Sequence, residues 1–456
     1  MRVQSLTSMT LSTLRQRAFM FVLFALFYMV IIGLEPLSEK VKTIPATGEG
    51  DISRQLCYSL IFLVALVATQ PIPHFRRMLT LPFGITMALA WCWLSITWSI
   101  APSVGMRRLV LTTIIIFSVF RAVEEIGYQR STAIMRVVLG LTLVLNYVSI
   151  FVTPAAIHHT VEVGDNTLVG AWRGVLPQKN FAGAVCALTI LAFFFDARRI
   201  NLALRAVIIA GTAFFLWKTQ SKTSIGILFV GIAVGGAYMR LNPAYRALVI
   251  PALAIAGSLV TLYVEMNWET LTAPLRQPDA LTGRIQIWPP LWAFSLDHWF
   301  GGAGYGSFWN IGPNSPIYEY ARGWVAGLAS GHNGYLDMLT QVGFPGLILI
   351  VLGVVVFPLF RLLFSATAPR AQGGMLIAML IFCTGQNLTE SSLFDRDMIV
   401  QLFMMYIVAM IGQVVRTPAR PPRRRPVPPR PVHRPPFPSP GPLPAGAMAI
   451  PNRGDR

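Results

Sequence analysis

The sequence predicts an all-α polytopic membrane protein with about 12 transmembrane helices and a large loop between helices 9 and 10. Of its 456 residues, 54% are hydrophobic and 12% are charged, against about 25% charged in an ordinary soluble domain. Apolar runs recur at about 17–25 residues, the length that crosses a hydrocarbon core. Arginines cluster in alternate connections, which is typical of a membrane topology.

The predicted helices are apolar runs separated by short polar connections. The first run is too long, and too poorly followed by small residues, to be a cleaved signal peptide. The predicted spans are 18–34, 55–72, 82–100, 109–122, 132–153, 180–196, 202–218, 223–239, 247–264, 343–361, 373–389 and 398–415.

The placement of arginine predicts that both chain ends lie in the cytoplasm. With residues 1–17 inside, the short inside loops and the tail at 416–456 collect most of the 37 basic residues. Few acids fall on that side, and they are Glu124, Glu125, Asp196 and Asp455. The net charge of +18 is therefore largely a topology signal, and we expect no nucleic-acid partner.

Two segments depart from this alternation of spans and short loops. Residues 265–342 form an outer loop rich in aromatic residues and glycine, unlike a disordered linker. Trp and Tyr favour the headgroup layer, so we expect short helices at the membrane interface. The Pro/Arg-rich tail, 416–456, is predicted to be disordered. It is either attracted to anionic lipid or a docking site for a cytoplasmic regulator.

Basic side chains also occur in the outer loops, against the general bias. An arginine fork matches phosphate oxygens bidentately, and lysine adds a mobile point charge. Placing a charged side chain within the membrane costs free energy, so such residues often indicate function. Any one of these side chains could instead extend to the membrane–water interface. Together they predict a site for a diphosphate on a membrane lipid. The residues are Arg107, Arg108, Arg173, Lys179, Lys218, Lys222, Arg284 and Arg396.

The acidic residues do not form the paired carboxylates that a Mg²⁺ site favours. The one Asp-x-Asp in the chain is Asp395–Arg396–Asp397, whose arginine would oppose a bound cation. We therefore predict neither a metal nor another cofactor. The acids of the outer loop are spread out, at Glu265, Glu269, Asp279, Asp297, Glu319 and Asp337. The cysteines lie in predicted spans and indicate helix packing, at Cys57, Cys92, Cys186 and Cys383.

His332 lies at the outer end of an apolar run, in the stretch SGHNGYLDMLTQVGFPG at 330–346. A helix beginning near His332 would carry Gly343 and Gly346 on the same stripe, at about 100° per residue. The glycines would permit close approach of a neighbouring helix, and Pro345 opposes a straight helix there. A single histidine at the end of a helix more often makes only structural hydrogen bonds than takes part in catalysis. A structural and a catalytic role for His332 therefore both stay open.

Several stretches resemble the O-antigen ligase and polysaccharide polymerase (WaaL/Wzy) superfamily. Its histidine pattern, H-N/S/Q-x9-G-x-x-G at the end of a large periplasmic loop, is complete in His332, Asn333, Gly343 and Gly346. The resemblance covers residues 80–400 and, in RGVLPQKNFAG, is greatest to ExoQ-type exopolysaccharide polymerases. The other similar stretches are WSIAPS at 98–103, 174–180, QSKTS at 220–224, and TGR and GGAGYGSF within 282–308.

The resemblance implies a GT-C-like membrane domain over 18–415 that performs a metal-independent, inverting glycosyl transfer in the periplasm. The donor would be an oligosaccharide on undecaprenyl diphosphate, and the acceptor a sugar hydroxyl. His332 would take or hold the acceptor proton, while Arg284 and Arg173 would grip the diphosphate. Lys222 departs from the arginine of many relatives and would lose bidentate binding. The expected substrate-binding residues are Lys179, Asn180, Ser221, Lys222, Asn333 and Arg396.

The preferred function is polymerisation of exopolysaccharide or O-antigen repeat units at a bacterial inner membrane, with chain-length or export proteins as candidate partners. Ligation of the glycan to lipid A-core is the alternative. A lipid-linked-sugar transporter would place its site near the midplane, and a scaffold would leave the histidine pattern unexplained. Asn387 and Glu390 are interpreted as lining the cavity.

Overall fold

The computed structural model describes residues 2–36, 50–159, 168–249, scattered positions between 251 and 267, 283–416 and residue 441, with side chains from residue 11 onward. Three predicted features lie wholly or largely outside the described residues. These are the ninth span at 247–264, the first part of the outer loop at 265–282, and the tail beyond residue 416. The chain divides into two compact units, Met1–Pro418 and Ala419–Arg456, and the helices described here belong to the first.

Helices build the described part of the chain, which contains two isolated β-bridges and no strand. Seven helical segments are long and apolar enough to cross a membrane, which confirms an all-α polytopic membrane protein. The count of twelve spans stays a prediction. The helices are α1 (Arg2–Ile31), α2 (Ile52–Thr69), α3 (Phe83–Ser95), α4 (Pro102–Val152), α5 (Lys179–Phe194), α6 (Leu202–Thr219), α7 (Lys222–Arg240), α8 (Arg284–Asp297), α9 (Gly334–Val351), α10 (Phe357–Leu363), α11 (Arg370–Gln386) and α12 (Ile399–Arg416). A one-turn helix, Ile317–Tyr320, follows α8, and a π-helical turn, Leu352–Val356, joins α9 to α10.

Helix α4 contains both the fourth and the fifth predicted spans. Its 51 residues would extend about 75 Å at 1.5 Å per residue, more than twice a hydrocarbon core. The helix is interrupted at Gly127, where φ is 74° and ψ is 173°. This left-handed φ is open to glycine at little cost, so the break lies between the two spans.

Close helix packing depends on small residues along α7 and α11. A Cβ on Gly235 would lie 2.7 Å from the carbonyl oxygen of Gly374, and one on Gly231 would lie 3.0 Å from that of Ala378. Small side chains allow helix backbones to approach closely, which favours association inside a membrane. All four cysteines are free, as helix-packing residues should be.

One end of the bundle, which we call the basic end, carries ion pairs between predicted cytoplasmic loops. Arg15 of α1 bonds Glu125 at 2.6 Å. Arg121 bonds Glu124 at 2.7 Å and contacts Glu125 at 3.5 Å. Nearby, the Tyr128 hydroxyl donates to an Asp196 carboxylate oxygen at 2.8 Å. These contacts bring residues from several predicted inside loops together.

The opposite end carries the folded part of the outer loop. Residues 283–333 have their own apolar core, which includes Phe294, Phe308 and Trp309. Arg108, near the start of α4, is buried and donates to the carbonyl oxygens of Gly306 and Trp309 at 2.5 and 2.8 Å. Arg108 therefore fastens this loop to the bundle. It lies thirteen residues, or about 20 Å of helix, from Arg121 of the basic end.

Candidate active site

His332 lies in a sharp turn immediately before α9. Its φ of 50° is in the left-handed region, which is uncommon outside glycine. Asn333 is the N-cap, and its Oδ1 accepts from the backbone N–H groups of Tyr335 and Leu336 at 3.1 Å each. The helix begins at Gly334, which agrees with a helix beginning near His332 but leaves the histidine itself in the turn. The cap ends the helix before it reaches the histidine.

The two motif glycines have different neighbours. Gly343 interrupts α9 with φ 68° and ψ −179°, so the single stripe predicted through His332 and both glycines does not form. A Cβ on Gly343 would lie 2.1 Å from the Phe300 carbonyl oxygen, whereas one on Gly346 would lie 2.6 Å from Trp91 of α3. Gly346 therefore allows the expected helix approach, and Gly343 allows the outer loop to approach. The break lies between Gln341, whose carbonyl the ring of Pro345 opposes, and Pro345 itself, as expected of a proline that opposes a straight helix.

Glu390 is the common neighbour of three residues singled out from the sequence. Its Oε1 accepts from Arg284 Nη2 at 2.8 Å and from Asn180 Nδ2 at 2.7 Å. Its Oε2 lies 3.6 Å from His332 Nδ1. The carboxylate side chain is 6% exposed, against 28% for the imidazole. Residues from α5, α8, the turn before α9 and the loop after α11 thus meet at one carboxylate.

Backbone contacts bring Glu390 to the histidine turn. The Gly334 N–H donates to the carbonyl oxygens of Asn387 and Glu390, at 2.8 and 3.1 Å. A Cβ at Gly334 would lie 2.4 Å from the Asn387 side-chain oxygen, so this close contact requires glycine. The loop after α11 therefore holds the first turn of α9. Asn387 and Glu390 are both buried.

A chain of polar side chains extends from Glu390 between α5, α7 and α11. Ser221 Oγ donates to Asn180 Oδ1 at 3.3 Å and lies 2.9 Å from Ser224 Oγ. Ser224 Oγ in turn donates to Gln386 Oε1 at 3.3 Å. Buried polar networks of this kind fix the geometry of their members. Here the network orients the Asn180 amide toward Glu390.

Two nitrogen atoms at this cluster are buried without a hydrogen bond. Within the described part of the chain, neither Arg284 Nε nor His332 Nδ1 has a hydrogen-bond partner. Buried polar atoms are nearly always satisfied, so such exceptions require an explanation. Both residues contact Glu390 through their side chains, so a polar ligand bound at this cluster could supply the missing partners.

Three other predicted cations differ in their burial and surroundings. Arg173 is buried, and its guanidinium donates to the carbonyl oxygens of Ala155 and Pro177, the latter at 2.8 Å. Lys179 is buried at the start of α5, whereas Lys222 is exposed at the start of α7.

Arg396 lies among carboxylates instead of at the Glu390 cluster. Its Nε bonds Asp395 at 3.1 Å, while Asp397 pairs with Arg54 of α2. Burial lowers the pKa of Arg396, but the charges of Asp395 and Asp397 outweigh this and raise it above its ordinary value. Both carboxylates of the Asp-x-Asp sequence are therefore engaged by arginine. Among the described residues, no three His, Cys, Asp or Glu side chains group as metal ligands.

Two acids near His332 were underestimated from the sequence. The sequence indicates Glu390 only as a residue that lines a cavity, and Asp337 only as one of the scattered acids of the outer loop. Asp337 is 4% exposed and accepts from Trp309 Nε1 and from the Gly331 N–H, at 3.0 Å each. One sequence feature could have identified both acids. Each lies within a few residues of the end of a predicted apolar span, on the side of the membrane where His332 lies.

Comparison with curated proteins gives no match. Residues 181–351 match the family model Wzy_C, described as O-Antigen ligase. The matched segment contains Arg284, His332, Asn333 and both motif glycines, and it ends before Glu390. The histidine pattern predicted this family independently of the match. This match supports the O-antigen ligase and polymerase superfamily for residues 181–351 and, together with the long apolar helices, a multi-pass membrane protein of the glycosyltransferase type.

Proposed function

We propose that the chain transfers an oligosaccharide from undecaprenyl diphosphate to a sugar hydroxyl, at the cluster formed by His332, Arg284 and Glu390. The observation that carries the proposal is the single buried carboxylate of Glu390, which lies 2.8 Å from an arginine and 3.6 Å from a histidine. The arginine supplies positive charge for a leaving phosphate, and the histidine supplies a proton acceptor.

In this step the acceptor oxygen forms a bond to the anomeric carbon while the bond to the diphosphate oxygen breaks. The acceptor proton passes to His332, and the diphosphate leaves with the bonding electron pair. Because Nδ1 faces Glu390, Nε2 is the nitrogen that takes the proton. The carboxylate then stabilises the imidazolium. Attack from the face opposite the diphosphate inverts the anomeric configuration.

Arg284 is proposed to bind the diphosphate with donors that Glu390 leaves unused. Its Nε has no hydrogen-bond partner among the described residues, and a guanidinium fork suits phosphate oxygens. Positioned cations of this kind need no metal ion to offset the developing charge. Asn180, Ser221 and Asn333 orient the cluster through the contacts above. Arg173, Lys179, Lys222 and Arg396 remain weaker proposals for donor contact.

We further propose that the cluster faces the periplasm of a bacterial inner membrane, with both chain ends cytoplasmic. Arginine distribution supports this orientation, because the predicted inside loops meet at the basic end. Resemblance to ExoQ-type proteins favours polymerisation of exopolysaccharide or O-antigen repeat units over ligation to lipid A-core. Chain-length or export proteins are the proposed partners.

A strain lacking the chain, complemented with wild type, His332→Ala or Arg284→Ala, tests this function. Surface and secreted glycans are sized by gel, and the membrane level of each variant is measured by immunoblot. We expect high-mass polysaccharide with the wild type only, at equal protein levels. Intact polymer that is missing only from lipopolysaccharide would indicate the ligase instead. Normal glycans with both variants would contradict the proposed site.

A further inference from the structure

Asp337 occupies a buried position beneath the histidine turn. It lies on the first turn of α9 and is 4% exposed. The Gly331 N–H donates to both carboxylate oxygens, at 3.0 and 3.1 Å, and Trp309 Nε1 donates to Oδ1 at 3.0 Å. A Cβ at Gly331 would lie 2.6 Å from that oxygen. The carboxylate therefore contacts the backbone directly before His332.

Gly331 is fixed on both sides of its backbone. Its N–H is held by Asp337, and its carbonyl oxygen accepts from Trp288 Nε1 at 3.1 Å. On the other side of the turn, Asn333 caps α9. His332, with its left-handed φ of 50°, is thus held between two fixed neighbours. Such a conformation costs about 1–3 kcal/mol and persists only where the surroundings impose it.

The charge of Asp337 is not required by these hydrogen bonds alone. Gly331 and Trp309 are neutral donors, and a buried ionised carboxylate carries a desolvation penalty of several kcal/mol. An amide of the same shape would avoid that penalty, but it would present N–H groups in place of one of the two oxygens that accept from Gly331 and so weaken the hold on the turn. His332 follows Gly331 directly in the chain and is the titratable side chain of the turn that Asp337 holds. A negative charge here is useful when the histidine becomes positive.

We propose that Asp337 is a positioning residue for His332, which presets the left-handed turn and stabilises the imidazolium formed during transfer. This inference rests on the proposed function of His332. It assigns Asp337 no contact with the substrate. Its effect should therefore be on the chemical step and on the exposure of the imidazole, with little effect on donor binding.

The test uses the full chain in lipid nanodiscs, with the lipid-linked donor that accumulates in a strain lacking the chain. We compare wild type with Asp337→Asn, which keeps the size but removes the charge and one acceptor. We expect kcat to fall about 10- to 100-fold, as small misplacements of catalytic groups do, with donor KM within about twofold of wild type. Thermal unfolding of each variant is measured in parallel.

A second readout needs no activity. Diethyl pyrocarbonate modifies accessible imidazoles, and peptide mass spectrometry follows the rate at His332. We expect this rate to rise several-fold in Asp337→Asn because the turn loosens. The matched control is Asp297→Asn, in the same loop, whose carboxylate accepts from the exposed Tyr320 hydroxyl at 2.7 Å. It should match wild type in both measurements.

Unchanged kcat and an unchanged modification rate in Asp337→Asn, with His332→Ala inactive, would overturn the positioning role alone. Full activity of His332→Ala would overturn the proposed function instead. If Asp337→Asn does not fold, Trp309→Phe removes one donor while keeping the carboxylate. That variant should lower kcat at constant KM, and an unchanged kcat would overturn the inference.

Discussion

The two ends of the bundle use similar charged residues with different connectivity. At the basic end, Arg121 contacts both Glu124 and Glu125, and Glu125 also bonds Arg15. Arg121 and Glu125 therefore each have a second partner if one is lost. At the outer end, Arg284 and His332 share the single carboxylate of Glu390. Redundant pairs hold helices together, whereas a shared carboxylate sets the relative positions of the groups around it.

Removal of one carboxylate from each end gives the largest expected contrast. Glu390→Ala leaves Arg284, His332 and Asn180 without their common acceptor, so we expect at least an about 100-fold loss of glycan transfer. In Glu125→Ala, Arg121 keeps Glu124 but Arg15 loses its partner, and these side chains are largely buried. We therefore expect a stability loss of about 3 kcal/mol, with transfer by the folded protein within about twofold of wild type. Donor turnover and thermal unfolding of the purified variants measure both effects.

Equal loss of transfer in Glu390→Ala and Glu125→Ala would remove the distinction between the two ends. A Glu390→Ala variant that keeps more than about half of wild-type transfer would show that the shared carboxylate does not organise the cluster.

A charge-conserving change at each end gives a smaller effect. Arg284→Lys keeps the cation but loses the planar fork, so we expect kcat/KM to fall about tenfold. The matched variant is Arg199→Lys, at an exposed arginine whose Nη1 donates to Gln129 at 3.4 Å. Transfer by that variant should equal wild type. If lysine at residue 284 supports full activity, simple charge is sufficient and bidentate phosphate binding is wrong.

The helices were predictable because each apolar run has the length of a membrane crossing. Span boundaries agree with the structure within a few residues at α2, α6 and α7. The break at Gly127 was also implied, since charged residues separate the fourth and fifth spans. By contrast, Pro345 predicts a departure from a straight helix near this point, but not that the break falls at Gly343. A helical-stripe argument assumes a continuous helix, and only the position of the Phe300 carbonyl in the fold reveals the interruption.

The candidate site was predictable only in part. The spacing from His332 to Gly343 and Gly346 identified the histidine without any structure. The central role of Glu390 was not predictable, because it lies 106 residues from Arg284 and 210 from Asn180 along the chain. Arg173 had the same composition signal as Arg284, yet backbone carbonyls accept its hydrogen bonds. The sequence indicates which charged residues lie at the outer end of the bundle. Only the tertiary structure shows which of these side chains contact one another.

The most direct test of the outer end as the reactive end separates donor binding from turnover in purified His332→Ala. Donor binding is measured by isothermal calorimetry in nanodiscs with the accumulated lipid-linked oligosaccharide, and turnover by release of undecaprenyl diphosphate. We predict a dissociation constant within about threefold of wild type and turnover reduced at least about 100-fold, the size expected for loss of a general base. Turnover equal to wild type in His332→Ala would contradict the account.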